Sequence, residues 1–410
     1  MSGADTQAMR SWWPLQLLLG WLNLVLTAPV IYLYVGLPLV LRQHGWSGTE
    51  IGMLQLTGLP AMLKFVLAAP VDRWCLGHAG YRNWAMVLGL GYAMALWLLG
   101  AHDLGSTPYA LLFVLAVLVS LLGTWADVPV NALAIRMLPE SERMRAGAIR
   151  SAVTSLGVIV GGGLMLMLYT RLGWAWTFYA LALGLLSGVV LVPLLKVYDG
   201  SGAAPTAHSQ ACLREWWEWF SVPQHRIWAL LLVLYYPLLG AAWVYLKPLM
   251  LDQGFAPERI ALIVGVAGGL VAALASMAGS RVSRQSGARM ALPWFAACNL
   301  LALAALTCAV ILGLGAGALI TAAMLVAVMI GASGGLLFGL MMYRTRPGLS
   351  ALDYGIQSSL FIIGRTVVPM LAGVLLDLGG YPGMLAGLTV GLALVLLLVG
   401  FVRDRIFMGA

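Results

Sequence analysis

Charge is what this chain has least of. Only 9% of its 410 residues are Asp, Glu, Lys or Arg, against about 25% in an average soluble protein. A soluble chain of this length could not cover its surface with so few polar groups. The shortage excludes a cytosolic enzyme, a nucleic-acid-binding domain and a disordered scaffold. No basic run is long enough to grip a polyanion, so the net charge of +8 has another origin. Cysteine is scarce too. Cys75, Cys212, Cys298 and Cys308 show neither CxxC nor metal-ligand spacing, so free thiols are expected, with no disulfide framework, no metal and no cofactor. None of the five histidines (44, 78, 102, 208, 225) falls deep in an apolar run, which argues against a histidine proton relay. No short apolar stretch with a cleavage site precedes the first run, so no cleaved signal peptide is expected.

What the chain has is apolar length: 61% of its residues are hydrophobic. A helix needs about 20 apolar residues to cross a bilayer. Such runs cover 14–41, 50–71, 83–101, 108–131, 147–169, 174–197, 228–250, 260–279, 290–312, 317–341, 354–376 and 383–402. The first contains Pro29 and Pro38 and is expected to kink. The one long hydrophilic stretch, Tyr198 to Arg226, separates six runs from six. This predicts an all-α membrane protein with twelve transmembrane helices: a first half at 1–197, a linker at 198–227 and a second half at 228–410. Gly157-x3-Gly161-Gly162-Gly163 predicts a close helix approach.

Lys and Arg set the orientation. With the N-terminus inside, 17 of the 23 fall on inner segments and four on outer ends. Arg136, Arg143, Arg145 and Arg150 count among the inner set. Both termini are therefore expected in the cytoplasm. Trp12, Trp13, Trp84, Trp174, Trp216 and Trp217 lie near run ends and read as an interfacial belt.

Two cations, Lys64 and Arg365, remain after this count and fall well inside runs, away from their ends. A mid-membrane charge costs about 2.5–3.5 kcal/mol on insertion scales and needs a reason. Arg365 lies roughly 16 Å from either end of its run, too far for its side chain to reach the surface. An anion-binding fork is the functional reading, and a structural partner to a carboxylate or to carbonyls is the plain one. Lys64, about 12 Å from the inner end, reads as a second cavity cation, or as a lysine that loses its proton on burial. Asp127 is the one carboxylate clearly within a run. It is read near the inner end, as a gate contact with nearby arginines or as a proton-coupling acid. Asp72, Arg73 and Asp353 sit at inner helix ends and read as gate elements. Tyr32, Tyr34, Tyr235, Tyr236 and Trp243 lie deeper and could stack on a flat substrate, or pack between helices.

Several islands together resemble a known family. They are Gly36-Leu37-Pro38, Glu50-Ile51-Gly52, Gly58-Leu59-Pro60, Lys64-Phe65, Ala69-Pro70-Val71-Asp72-Arg73 and Tyr81-Arg82-Asn83-Trp84 in the first half. Asp127, Leu138-Pro139-Glu140-x-Glu142-Arg143, Gly147-Ala148, Gln357-Ser358-Ser359, Gly364-Arg365 and Pro369 follow. With the six-plus-six division and the short basic links after runs two and eight, they resemble the AmpG-type branch of the major facilitator superfamily. That resemblance implies two halves that rock around a central site, and it places Lys64, Arg365 and Gln357 among the family's patterned positions. Asn131 and Arg136 stand where the muropeptide pattern has acids, and Tyr235-Tyr236-Pro237-Leu238-Leu239-Gly240-Ala241 lacks its Lys and Asp. The chain is thereby more similar to the siderophore permeases of the pyochelin and rhizobactin type.

The expectation is a monomeric bacterial inner-membrane transporter that is not an enzyme. It would import a ferric siderophore, driven by protons, with Arg365, Lys64, Tyr32, Tyr34, Tyr235, Tyr236, Trp243 and Gln357 around the substrate. The alternatives are a muropeptide or drug permease and, remotely, a membrane enzyme. The sequence lacks the His or Cys cluster an enzyme would need.

Overall fold

A computed structural model describes residues 12–44, 55–74, 76, 80–197, 213–346 and 348–407. The expected motif at Glu50-Ile51-Gly52, the cysteines at 75 and 212 and the first part of the linker lie outside the described residues.

Ten helices among the described residues are long and apolar enough to cross a membrane. The last of them, Ser350–Phe407, is two helices joined at Gly380, whose φ of 63° lies in the left-handed region. A further crossing is built from the short pieces Gln55–Gly58, Leu59–Met62 and Lys64–Arg73. That gives twelve, numbered here as spans one to twelve in chain order. Span one runs from Trp13–Ile31 through a widened π turn, Tyr32–Gly36, into Leu37–Gln43. The expected irregularity therefore falls one turn after Pro29. Spans three and four are Tyr81–Ala101 and Tyr109–Met137. Span five is Glu140–Ile159 continued by a π turn and Met165–Leu172, and span six begins as Trp174–Leu191. Span seven breaks at Tyr235–Tyr236, between Pro223–Leu234 and Pro237–Asp252, because Pro237 has no N–H to carry the ladder through. Spans eight, nine and ten are centred on Gly268–Ser286, Ala288–Ile311 and Ala316–Tyr343.

Two boundaries differ from the sequence reading. Span four extends to Met137 and span five begins at Glu140. Residues read as a basic loop are helix, with Pro139 before the first turn and Glu140 and Glu142 in it, where acids favour the positive helix end. In the linker, Leu213–Ser221 is helical rather than loop.

The polarity of the bundle is inverted relative to a soluble protein. Phe401, Leu378, Val190 and Leu274 are exposed, while Lys64, Asp127, Asn131 and Asn299 are buried. Lipid is the solvent that makes this arrangement favourable.

The halves meet tightly at the end where span one begins and span twelve finishes. Ser276 and Ser280 of span eight donate to the carbonyls of Ala148 and Met144 in span five, at 2.8 and 3.1 Å. Gly147 of span five abuts the backbone of Phe338 and Gly339 in span ten. Span two packs on span eleven, where the Phe65 amide donates to Ser359 Oγ at 3.2 Å. Within the first half, Gly157 and Gly161 do allow the expected close approach, to Ile31 and to the Ala28 carbonyl of span one.

Candidate functional site

Span eleven positions one centre of the site. Tyr354, Ser358, Phe361 and Arg365 follow at intervals of four, three and four, which places them on one helical stripe. Phe361 is buried, with Tyr236 of span seven 5.1 Å away and Phe338 of span ten 5.3 Å away between ring centroids. The stripe therefore faces into the bundle. Arg365, one turn further, keeps an exposed side chain whose guanidinium lies 5.9 Å from the Tyr236 ring and 5.8 Å from Phe361. Among the described residues no carboxylate pairs with it. Held by two rings, the guanidinium retains its full set of donors for an incoming anion.

The second centre is a buried ionic cluster in the first half. Arg150 of span five reaches both carboxylate oxygens of Asp127, at 2.9 Å each. The same guanidinium donates to Asn131 Oδ1 at 2.7 Å and to Asn23 Oδ1 of span one. Lys64 Nζ pairs with Asp127 Oδ2. The Tyr354 ring of span eleven covers both cations, with its centroid 5.7 Å from each.

This corrects three expectations. Lys64 is not a free cavity cation beside Arg365; it shares a carboxylate with Arg150. Asp127 is not at a helix end, because ten more residues of span four follow it, about 15 Å of helix. Arg150, counted among the inner-segment cations, is instead a mostly buried member of the site on span five. It was missed as a site residue because the apolar run began only at 147, which placed it next to the surface.

The aromatic expectations divide. Tyr236 borders Arg365. Tyr235 is fully buried and donates to the Leu292 carbonyl of span nine at 2.9 Å, so it serves packing. Tyr32 is fully buried and set edge-on to Phe178. Tyr34 shares a hydrogen bond with Ser120 at 3.1 Å. Trp243 lies against Gly268 of span eight, where a side chain would collide with its ring. Gln357 is buried with its amide committed: Oε1 accepts from Trp228 at 2.7 Å, and Nε2 donates to the Met341 and Asp353 carbonyls. It has no face left for a substrate. Trp84 and Trp216 also leave the expected belt. Trp84 is buried and bonded to the Trp74 carbonyl, and Trp216 stacks on Phe65 at 5.4 Å.

The inner-end residues form a separate set. Asp72 accepts the Tyr81 hydroxyl at 2.6 Å and the amides of Ala351 and Leu352 at 3.3 and 2.7 Å, closing span two onto the N-terminus of span eleven. Asp353 is fully buried and held by Arg346, which also reaches Glu215 of the linker helix. Burial would lower the Arg346 guanidinium, but Asp353 and Glu215 outweigh it and hold its pKa above the usual value. Arg73 is exposed.

The comparisons with known proteins agree with this architecture. The chain is similar to the anhydromuropeptide permease of Escherichia coli K12, with 26% identity over 219 residues, covering 51% of this chain and 44% of the permease. Less than half the length of that relative is thus spanned. In fold it is similar to the E. coli fucose:proton symporter FucP in its outward conformation, with a TM-score of 0.70, 15% identity and 95% and 98% of the two chains covered. It is also similar to a bacterial homologue of the iron transporter ferroportin in an outward-facing state, with a TM-score of 0.70, 18% identity and coverage of 95% and 99%. The relative matched in sequence is a muropeptide permease, and the narrower siderophore expectation does not follow from it. The family model for the Major Facilitator Superfamily matches residues 19–351. Both the twelve-span bundle and that match cover most of the chain, so the protein belongs to the major facilitator superfamily and is a multi-pass membrane transporter rather than an enzyme.

Proposed function

We propose that the protein is an inner-membrane permease that brings a small organic anion into the cytoplasm, with Arg365 as its anion-binding group. The observation that carries this reading is Arg365 itself: a mid-span guanidinium, exposed on the inward stripe, flanked by Tyr236 and Phe361. Such a charge is costly unless something anionic answers it.

Anhydromuropeptides are the leading substrate class. They carry peptide carboxylates that match a guanidinium fork, and the permease similar in sequence is named for them. A ferric siderophore with aromatic rings is the second reading, favoured by the two rings beside Arg365, which offer stacking faces. On either reading both termini are cytoplasmic, since the excess of Arg and Lys on inner segments survives the removal of Arg150 from the count. Asp72, Asp353 and Arg346 then act as the inner gate.

The test is uptake into inverted and right-side-out vesicles, with and without a protonophore. The probes are an anhydromuropeptide, a ferric aromatic siderophore, a neutral sugar and a lipophilic cation. Uptake of one of the two anions, abolished by Arg365→Ala and by the protonophore, is expected. Uptake of the neutral sugar or the cation alone, or normal anion uptake by a well-expressed Arg365→Ala variant, overturns the reading.

A further inference from the structure

Among the described residues, the ionic cluster of the first half holds one charge too many. The two oxygens of Asp127 are already taken by the parallel arms of Arg150, and Lys64 brings a second cation to the same carboxylate. Lys64 is only 4% exposed. The groups that face it are Asp127 from span four, Arg150 from span five and the Tyr354 ring from span eleven. Asn23 and Asn131, which complete the cluster, are neutral. The nearby acids are committed elsewhere. Asp72 takes backbone amides of span eleven, and Asp353 and Glu215 take Arg346. An unbalanced charge in a buried setting is costly to keep out of water.

We propose that Lys64 is the proton-binding group of the transport cycle, alternating between ammonium and amine while Arg150 and Asp127 remain an ion pair. A bidentate guanidinium–carboxylate pair is among the strongest polar contacts, and the guanidinium does not give up its proton. Of the two cations, only lysine can discharge the excess. The step is simple in its balance: Nζ passes one proton to water on one side of the membrane and regains one from water on the other.

The geometry also says how the proton is felt by the rest of the fold. Tyr354 belongs to the second half, and its ring attracts Lys64 only while the nitrogen is charged. Next to Lys64, Phe65 is bonded to Ser359, and Gly355 of span eleven sits against Ala68 and the Lys64 carbonyl. Loss of the proton therefore removes an attraction between the halves where span two meets span eleven. Leu63, just before Lys64, leaves helical geometry (φ −95°, ψ 20°) and gives span two a joint at that point.

This inference rests on the transport reading, and the test separates the two. The chain has three lysines, Lys64, Lys196 and Lys247, so side-chain NMR of lysine-labelled protein in lipid nanodiscs resolves each. One lysine signal is expected to titrate below the ordinary lysine range and to vanish in Lys64→Arg. In Arg150→Gln the cluster has one cation per carboxylate, and that titration should move up. Lys64→Arg vesicles should lose the response of uptake to an imposed pH gradient. A Lys64 that stays charged through pH 9 overturns the proposal. So does undiminished gradient-driven uptake in Lys64→Arg. If none of the probes is carried, the substrate reading fails while the NMR titration still decides the proton site.

Discussion

A methyl group added at Gly147 should pry open the end of the bundle where span one begins and span twelve finishes. Its carbon would lie 2.7 Å from the carbonyl carbon of Phe338 and closer still to the backbone of Gly339. Ordinary carbon contacts are about 3.5–4.0 Å, so spans five and ten must separate by roughly 1 Å. Neither neighbour is a flexible side chain that could swing aside. The separation pulls on the two hydrogen bonds that join spans five and eight, from Ser276 to Ala148 and from Ser280 to Met144. An interhelical hydrogen bond in lipid averages about 0.6 kcal/mol, and a protein hydrogen bond reaches about 1.5 kcal/mol. Losing two therefore costs about 1–3 kcal/mol, a shift of about 5–150-fold between closed and open forms. Spin labels at Ser141→Cys and Ser286→Cys, both exposed positions at that end, report the distance by pulsed electron resonance in a background without native cysteines. Gly147→Ala should populate a longer distance. Gly163→Ala, in the same span but with no atom within 4 Å of the new methyl, should not. Equal distance distributions in the two variants would refute the wedge argument.

Two further outcomes follow from the ionic contacts. Asp127→Asn strands Lys64 and Arg150 together, and stranding a buried partner costs about 3–5 kcal/mol. Lys64→Gln leaves the Arg150–Asp127 pair intact and should cost less, because no buried charge loses its partner. Thermal inactivation followed by tryptophan fluorescence in detergent measures both, and equal losses would contradict the charge count. At the inner end, Arg346→Ala removes the link between Asp353 and the linker helix. Tryptic cleavage at Arg214 in the linker should then speed up about tenfold per 1.4 kcal/mol of lost docking, whereas Trp217→Ala, whose side chain is 69% exposed and free of packing duties, should leave the rate unchanged.

The spans were legible because lipid imposes a length, and a run of apolar residues carries that length in one dimension. Arg365 was legible for the same reason: its distance from both ends of a single run suffices to place it in mid-membrane. The cluster was not. Lys64, Asp127 and Arg150 sit on three spans, and their meeting depends on how those helices pack. Polar residues at the edges of runs four and five also shortened both helices in the reading, and this moved Asp127 and Arg150 toward the surface. A signal was nevertheless present. Asn23 lies within run one, and Asp127 and Asn131 are spaced four apart, on one helical face. Three polar groups in apolar runs require a common partner, and Arg150 is the nearest donor able to serve them all.

Span eleven ties the two centres together. Its inward stripe begins with Tyr354 over Lys64 and Arg150 and ends with Arg365, eleven residues later, or roughly 16 Å along one stiff helix. Phe361 and Phe338 fill the space between, and the Phe338 ring also lies 5.6 Å from Arg150. An anion that draws Arg365 toward itself loads the same helix whose lower end is held by the charge on Lys64. Any displacement must be shared by both ends, because packed helices move as units more readily than they stretch. An anion and a proton could thus influence each other without touching. Gly364 is the position at which to probe this sharing: it lies against Val233 and Pro237 of span seven, so a larger residue there should displace Arg365 and Tyr354 together.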